Sequence, residues 1–115
     1  MTELEALRAQ VREFVREREW EPFHSPKNLA MALAVEAAEL VEIFQWKTES
    51  ESRAPDAKTL AAASDEIADV LVYLVRIADE LGIDPIAAAQ RKLAMNAAKY
   101  PVDKARGNAR KYDEL

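Results

Sequence analysis

Apolar residues recur along this chain at spacings of three and four, and no stretch alternates in the two-residue period of a strand. Leu4, Leu7, Val11, Phe14 and Val15 mark a first helix from Thr2 or Glu3 to about Glu19. The segment Trp20-Glu-Pro-Phe-His-Ser-Pro26 breaks it, and Ser25 followed by Pro26 is a strong start signal, a capping hydroxyl before a proline at the first helical position. The second helix runs to Trp46 or Lys47, about 30 Å at 1.5 Å per residue. Thr48 to Asp56 is polar, rich in Ser and Glu, and reads as an exposed, mobile connection. A third helix spans Ala57 to Leu81, with Gly82 as its stop. Asp84-Pro85 repeats the cap-and-proline signal and opens a fourth, which fades near Tyr100-Pro101. These elements predict an all-α, four-helix-type domain over 1–101. Residues 102–115 lack an apolar period, carry Lys104, Arg106, Arg110 and Lys111, and read as a basic, flexible tail.

Two acidic pairs interrupt the apolar runs: Glu36-Ala-Ala-Glu39 and Glu66-Ile-Ala-Asp69. With Leu29 at zero and about 100° per residue, Leu33, Leu40 and Ile43 fall within about 40° of it, and Glu36 lands in the same stripe. A bare carboxylate there is expensive to bury and needs a partner. Glu39 lies at the stripe's edge, and Glu42 further round toward solvent. On the third helix the apolar stripe reads Leu60, Ile67, Val70, Leu71, Leu74, Ala78 and Leu81, flanked by Glu66 with Tyr73 seven residues on; Asp69 lies further round. One such pair is usually a solvated helix face. Two pairs on successive long helices, one inside an apolar stripe, favour a metal site. All-oxygen ligation selects Mg²⁺, with Mn²⁺ as a substitute, and magnesium completes its shell with waters and substrate phosphates, which points to a phosphate ester or anhydride.

Composition narrows the choice. The chain has 115 residues, half of them hydrophobic, with two glycines and five prolines, which suits one helical domain. With no cysteine and one histidine, thiolate sites are excluded and zinc has little scope. A net charge of −5 speaks against a nucleic-acid polymer as partner. The N-terminus lacks the pattern of a signal peptide, and no apolar run approaches a membrane span, so the expectation is a cytoplasmic protein without a membrane. Alanine-rich faces on two long helices exceed what one small bundle covers and predict a homodimer or homotetramer.

The two acidic pairs form an E-x-x-E…E-x-x-D signature. With it, the stretches Trp20-Glu-Pro-Phe-His-Ser-Pro-Lys-Asn28, Glu36 to Lys47 (ending Phe-Gln-Trp-Lys), Asp65 to Leu74, Lys92…Asn96…Lys99-Tyr-Pro101 and Ala105-Arg…Arg110-Lys-Tyr112 resemble the MazG-like superfamily of all-α nucleotide pyrophosphohydrolases, and within it the dCTP pyrophosphatase branch. The signature alone is common to the superfamily; the Phe-Gln-Trp-Lys run and the tail are more specific. The resemblance implies Mg²⁺ held by Glu36, Glu39, Glu66 and Asp69, and attack of water on the α-phosphorus of a deoxynucleoside triphosphate. Glu39 is the candidate to orient that water. It further implies Trp20, Phe23, His24 and Trp46 around base and sugar, Tyr73 against them, and Lys92, Asn96 and Lys99 toward phosphate. Val11 departs from the pattern: animal members of the branch carry a histidine there, associated with the base pocket. The competing readings are a MazG-type enzyme of broader NTP or dUTP specificity and a non-catalytic, cation-binding helical oligomer. A di-iron bundle would need a Glu-x-x-His motif, which is absent.

Overall fold

The computed structural model describes residues 1–115 and contains helices and turns but no strand. Helix α1 (Glu3–Glu17) starts at a capping box, in which Thr2 and Glu5 exchange side-chain and backbone hydrogen bonds. A 3₁₀ turn (Glu21–Phe23) follows, and α2 (Pro26–Phe44) opens where expected, with the Ser25 hydroxyl accepting from the Asn28 N–H. The connection expected to be mobile instead holds a short helix, α3 (Glu49–Arg53), because Thr48 and Glu51 form a second capping box. Helix α4 (Ala57–Leu81) runs from an Asp56 cap to Gly82, whose φ of 67° ends it in the left-handed region.

The chain divides into two compact units, residues 1–82 and 83–115. In the first, α4 packs against both α2 and α1. Its interior is Val11 and Val15 from α1, Leu29 from α2, and Ala63, Val75 and Ala78 from α4. Leu29, only 1% exposed, is the most deeply buried large side chain. Charged pairs tie α1 to α4 at one end: Arg12 grips Asp79 through two hydrogen bonds of 3.0 and 2.5 Å. The second unit holds α5 (Pro85–Lys99), capped by Asp84, a short α6 (Val102–Ala105) and a 3₁₀ turn (Tyr112–Glu114). There Tyr112 meets the ring of Tyr100 edge-on, and the Lys99 ammonium lies 4.9 Å from the Tyr112 ring centroid.

The stripe read on α2 faces inward, with Leu29 buried and Leu33, Glu36, Leu40 and Ile43 half-buried. The stripe read on α4 does so only at Val70 and Ala78. Leu60, Ile67, Leu71, Leu74 and Leu81 are exposed, whereas Ala63, Glu66, Val70, Tyr73 and Ile77 are buried or half-buried. Helix α4 is apolar on two sides. It turns its smaller, acid-bearing side toward α2 and leaves its leucine-rich side uncovered by this chain. No helix is long and apolar enough to cross a membrane.

Candidate functional site

Glu36 and Glu39 come from the middle of α2 and Glu66 from the middle of α4, where backbone hydrogen bonds leave each side chain on a rigid rod. One carboxylate oxygen from each lies within 4.8 Å of the others. The Oε2 atoms of Glu36 and Glu66 are buried with no hydrogen-bond partner, a costly arrangement for ionised groups. Burial, then contact with Glu36 and Glu39, pushes the Glu66 carboxyl up to about 7. Glu36 is raised chiefly by burial, with Glu39 and Asp69 adding repulsion and Glu66 opposing it as a hydrogen-bond partner. Orphaned oxygens, an all-oxygen donor set and mutual repulsion are what a hard divalent cation relieves, so the cluster can hold one.

Asp69, the fourth acid of the signature, is exposed and outside the convergent trio, near enough to act on Glu36 through its charge. Glu39 and Glu66 line an open cavity with Glu42, Ile43, Ala62 and Asp65. Glu42 is exposed, as the wheel predicts, yet stands at this rim. A second, more apolar hollow between α1 and α4 is lined by Gln10, Val11, Phe14, Asp69, Val72 and Tyr73. Val11 and Tyr73 therefore face one space, with Asp69 at its border.

The aromatic candidates divide. Trp20 meets Phe14 edge-on at 5.7 Å and lies 6.3 Å from the His24 ring, so these three make one group. Phe23 and Trp46 stand in solvent, Trp46 being 89% exposed. In the second unit, Asn96 is half-buried, and Lys92 and Lys99 are exposed on α5. Two participants escaped the sequence reading. Phe14, read only as part of the apolar period of the first helix, lines the apolar hollow and carries the Arg18 guanidinium 3.6 Å from its ring centroid. Arg76 is the buried charged residue, 5% exposed, and its Nε donates to His24 Nδ1 at 3.2 Å. Its signal was available: like Glu36, it is a lone charge inside an apolar run, Leu74-Val75-Arg76-Ile77-Ala78.

An all-helical chain that converges carboxylates from two long helices belongs to the class of helical proteins with an acidic cluster able to bind a metal ion. A family model described as the MazG-like family matches residues 31–115, and the chain belongs to that family. It is 43% identical to dCTP pyrophosphatase 1 of Homo sapiens and 44% identical to that of Rattus norvegicus, in each case over 97% of this chain and 67% of the relative. A crystal structure of a pyrophosphatase from Archaeoglobus fulgidus superposes with a TM-score of 0.78 at 41% identity, covering 88% of this chain and 94% of that one.

Proposed function

We propose that this protein is a nucleoside triphosphate pyrophosphohydrolase that cleaves dCTP, or related and base-modified deoxynucleoside triphosphates, to the monophosphate and pyrophosphate in the cytoplasm. Similarity at 43–44% identity to proteins named dCTP pyrophosphatase 1 supports the substrate. The observation that carries the chemistry is the convergence of Glu36, Glu39 and Glu66, two of them with orphaned buried oxygens.

Glu36, Glu66 and Glu39 would hold Mg²⁺, joined by Asp69 from the next turn of α4. A cation held there would supply a lowered pKa to a nearby water and offset charge on the phosphoryl oxygens. Glu39, half-buried at the rim of the open cavity, orients the attacking water and takes its proton. The water oxygen bonds to the α-phosphorus, the bond to the bridging α,β-oxygen breaks, and pyrophosphate departs with that electron pair. Trp20 and His24, and Tyr73 in the apolar hollow, would offer faces for base and sugar. Lys92, Asn96 and Lys99 share a face of α5 with the chemistry for phosphate.

The uncovered face of α4 (Leu60, Ile67, Leu71, Leu74, Leu81) supports self-association into a dimer or tetramer, as does the exposure of Phe23 and Trp46. The test is pyrophosphate release from dCTP, dUTP, dATP and ATP, with Mg²⁺ and with chelator. Metal-dependent release led by dCTP supports the whole reading, and equal rates on all four replace cytosine preference with broad specificity. No release from any of them reduces the protein to a cation-binding helical oligomer.

A further inference from the structure

Arg76 sits in α4 with its side chain 6% exposed, among partners from α4 itself and from the 3₁₀ turn. Its Nη2 donates to Glu80 Oε1 at 2.5 Å, its Nη1 lies 3.5 Å from Asp79 Oδ2, and its Nε donates to His24 Nδ1 at 3.2 Å. Asp79 is in turn gripped by Arg12 of α1. His24 closes the 3₁₀ turn, its backbone N–H bonded to the Glu21 carbonyl, so the residue is held by its main chain and by one ring nitrogen.

A guanidinium carries five N–H donors, no acceptor and a permanent charge. The bond to His24 therefore requires a lone pair on Nδ1, which places the imidazole proton on Nε2. Protonating Nδ1 would set donor against donor and cation against cation. Nε2 makes no hydrogen bond within the chain and is not sealed from solvent.

We propose that Arg76 is a positioning residue that locks His24 as the neutral Nε2–H tautomer, so that His24 presents a hydrogen-bond donor to an oxygen of the bound nucleoside. This rests on reading His24 as a substrate-binding residue. The charged groups around the ring act in both senses. Burial, then Arg76, lowers the His24 pKa, while Glu80 on α4 and Glu21 on the turn oppose them. Arg12 and Arg16 of α1 line a separate, charged hollow with Glu21, Arg76, Asp79 and Glu80. The donor consequently stays neutral through the neutral pH range.

His24 is the sole histidine, so ¹⁵N-histidine labelling of the full chain gives one set of ring signals. The expected result is a dominant Nε2–H tautomer at pH 7.5, a titration midpoint below the ordinary 6.5, and a shift of the Nε2 signal on saturation with α,β-methylene-dCTP and Mg²⁺. Arg76→Lys should mix the tautomers, raise the midpoint, and raise KM for dCTP roughly three- to tenfold at little change in kcat, the worth of one neutral hydrogen bond. Placed in a His24→Gln background, the same change should add nothing further to KM. An Nδ1–H tautomer or an ordinary mixture in the unmutated protein overturns the assignment, whatever the substrate, and needs no variant to fold. The expected tautomer with an Nε2 signal indifferent to bound analogue overturns the donor role. Failure of the analogue to bind, read by calorimetry on the same sample, overturns the proposal together with the functional reading beneath it.

Discussion

Replacing Glu66 with Gln should stabilise the metal-free protein at pH 8 and leave it nearly unchanged at pH 4.5. The Glu66 carboxyl is pushed from 4.5 to about 7 by burial and by Glu36 and Glu39. The folded state therefore binds a proton more tightly than the unfolded chain does. Its contribution to stability is fully present below pH 4.5 and is lost as pH rises through about 7. At pH 5.75, midway, a group at about 7 is about 95% protonated and one at 4.5 about 5%, so unfolding releases about 0.9 proton from this site. His24 works in the opposite sense, because its lowered pKa makes stability grow as pH rises toward 6.5. The raw melting curve mixes the two, and the difference between unmutated protein and Glu66→Gln isolates the carboxylate. The assay is thermal unfolding in chelator at half-unit steps from pH 4.5 to 8.5. The variant's Tm should gain on the unmutated protein steadily across that window and level off above pH 7.5. Mg²⁺ at pH 8 should then raise the Tm of the unmutated protein more than that of the variant. A Tm difference that is flat with pH, or a variant less stable at pH 8 without metal, refutes the picture of like charges pressed together.

Glu39→Gln should lower pyrophosphate release from dCTP at least a hundredfold while calorimetry still detects nucleotide binding, since it removes a proton acceptor and keeps the shape. Trp20→Ala should raise KM for dCTP by about five- to 150-fold, the range that a stacking contact of about 1–3 kcal/mol implies. Leu29→Ala should cost about 2–5 kcal/mol and lower the Tm by 10 °C or more, because a residue 1% exposed leaves a cavity that its neighbours fill poorly. Leu74→Glu, on the uncovered face of α4, should shift the protein to a smaller species by light scattering while far-UV dichroism stays helical.

Helix starts were legible because they are written in short local codes. Ser25-Pro26 and Asp84-Pro85 each act as caps where the sequence places them. Glu36 was legible on α2 because a carboxylate inside a stripe of Leu29, Leu33, Leu40 and Ile43 conflicts with burial unless it has a task. On α4 the wheel misled, since it weights Leu and Ile by size. The structure instead buries or half-buries Ala63, Glu66 and Tyr73 against the other helices of the first unit. No periodicity count can tell which of two apolar sides meets the same chain. The α3 capping box was hidden for another reason: Thr48 and Glu51 fall in a polar stretch, where a box without a following apolar run attracts no notice. The bond from Arg76 to His24 joins residues 52 apart in sequence, a pairing visible only once α4 lies beside the turn.

Five helix starts in this chain, at Thr2, Ser25, Thr48, Asp56 and Asp84, are each closed by a side-chain oxygen on an N–H two or three residues away. Such signals act before any distant contact forms, so the helices need not wait for one another or for a second copy. Refolding from denaturant should therefore separate into a fast recovery of helix that ignores protein concentration and a slower phase that quickens with it. Between the two, the leucine face of α4 stands open, and that interval is when the chain is most prone to aggregate.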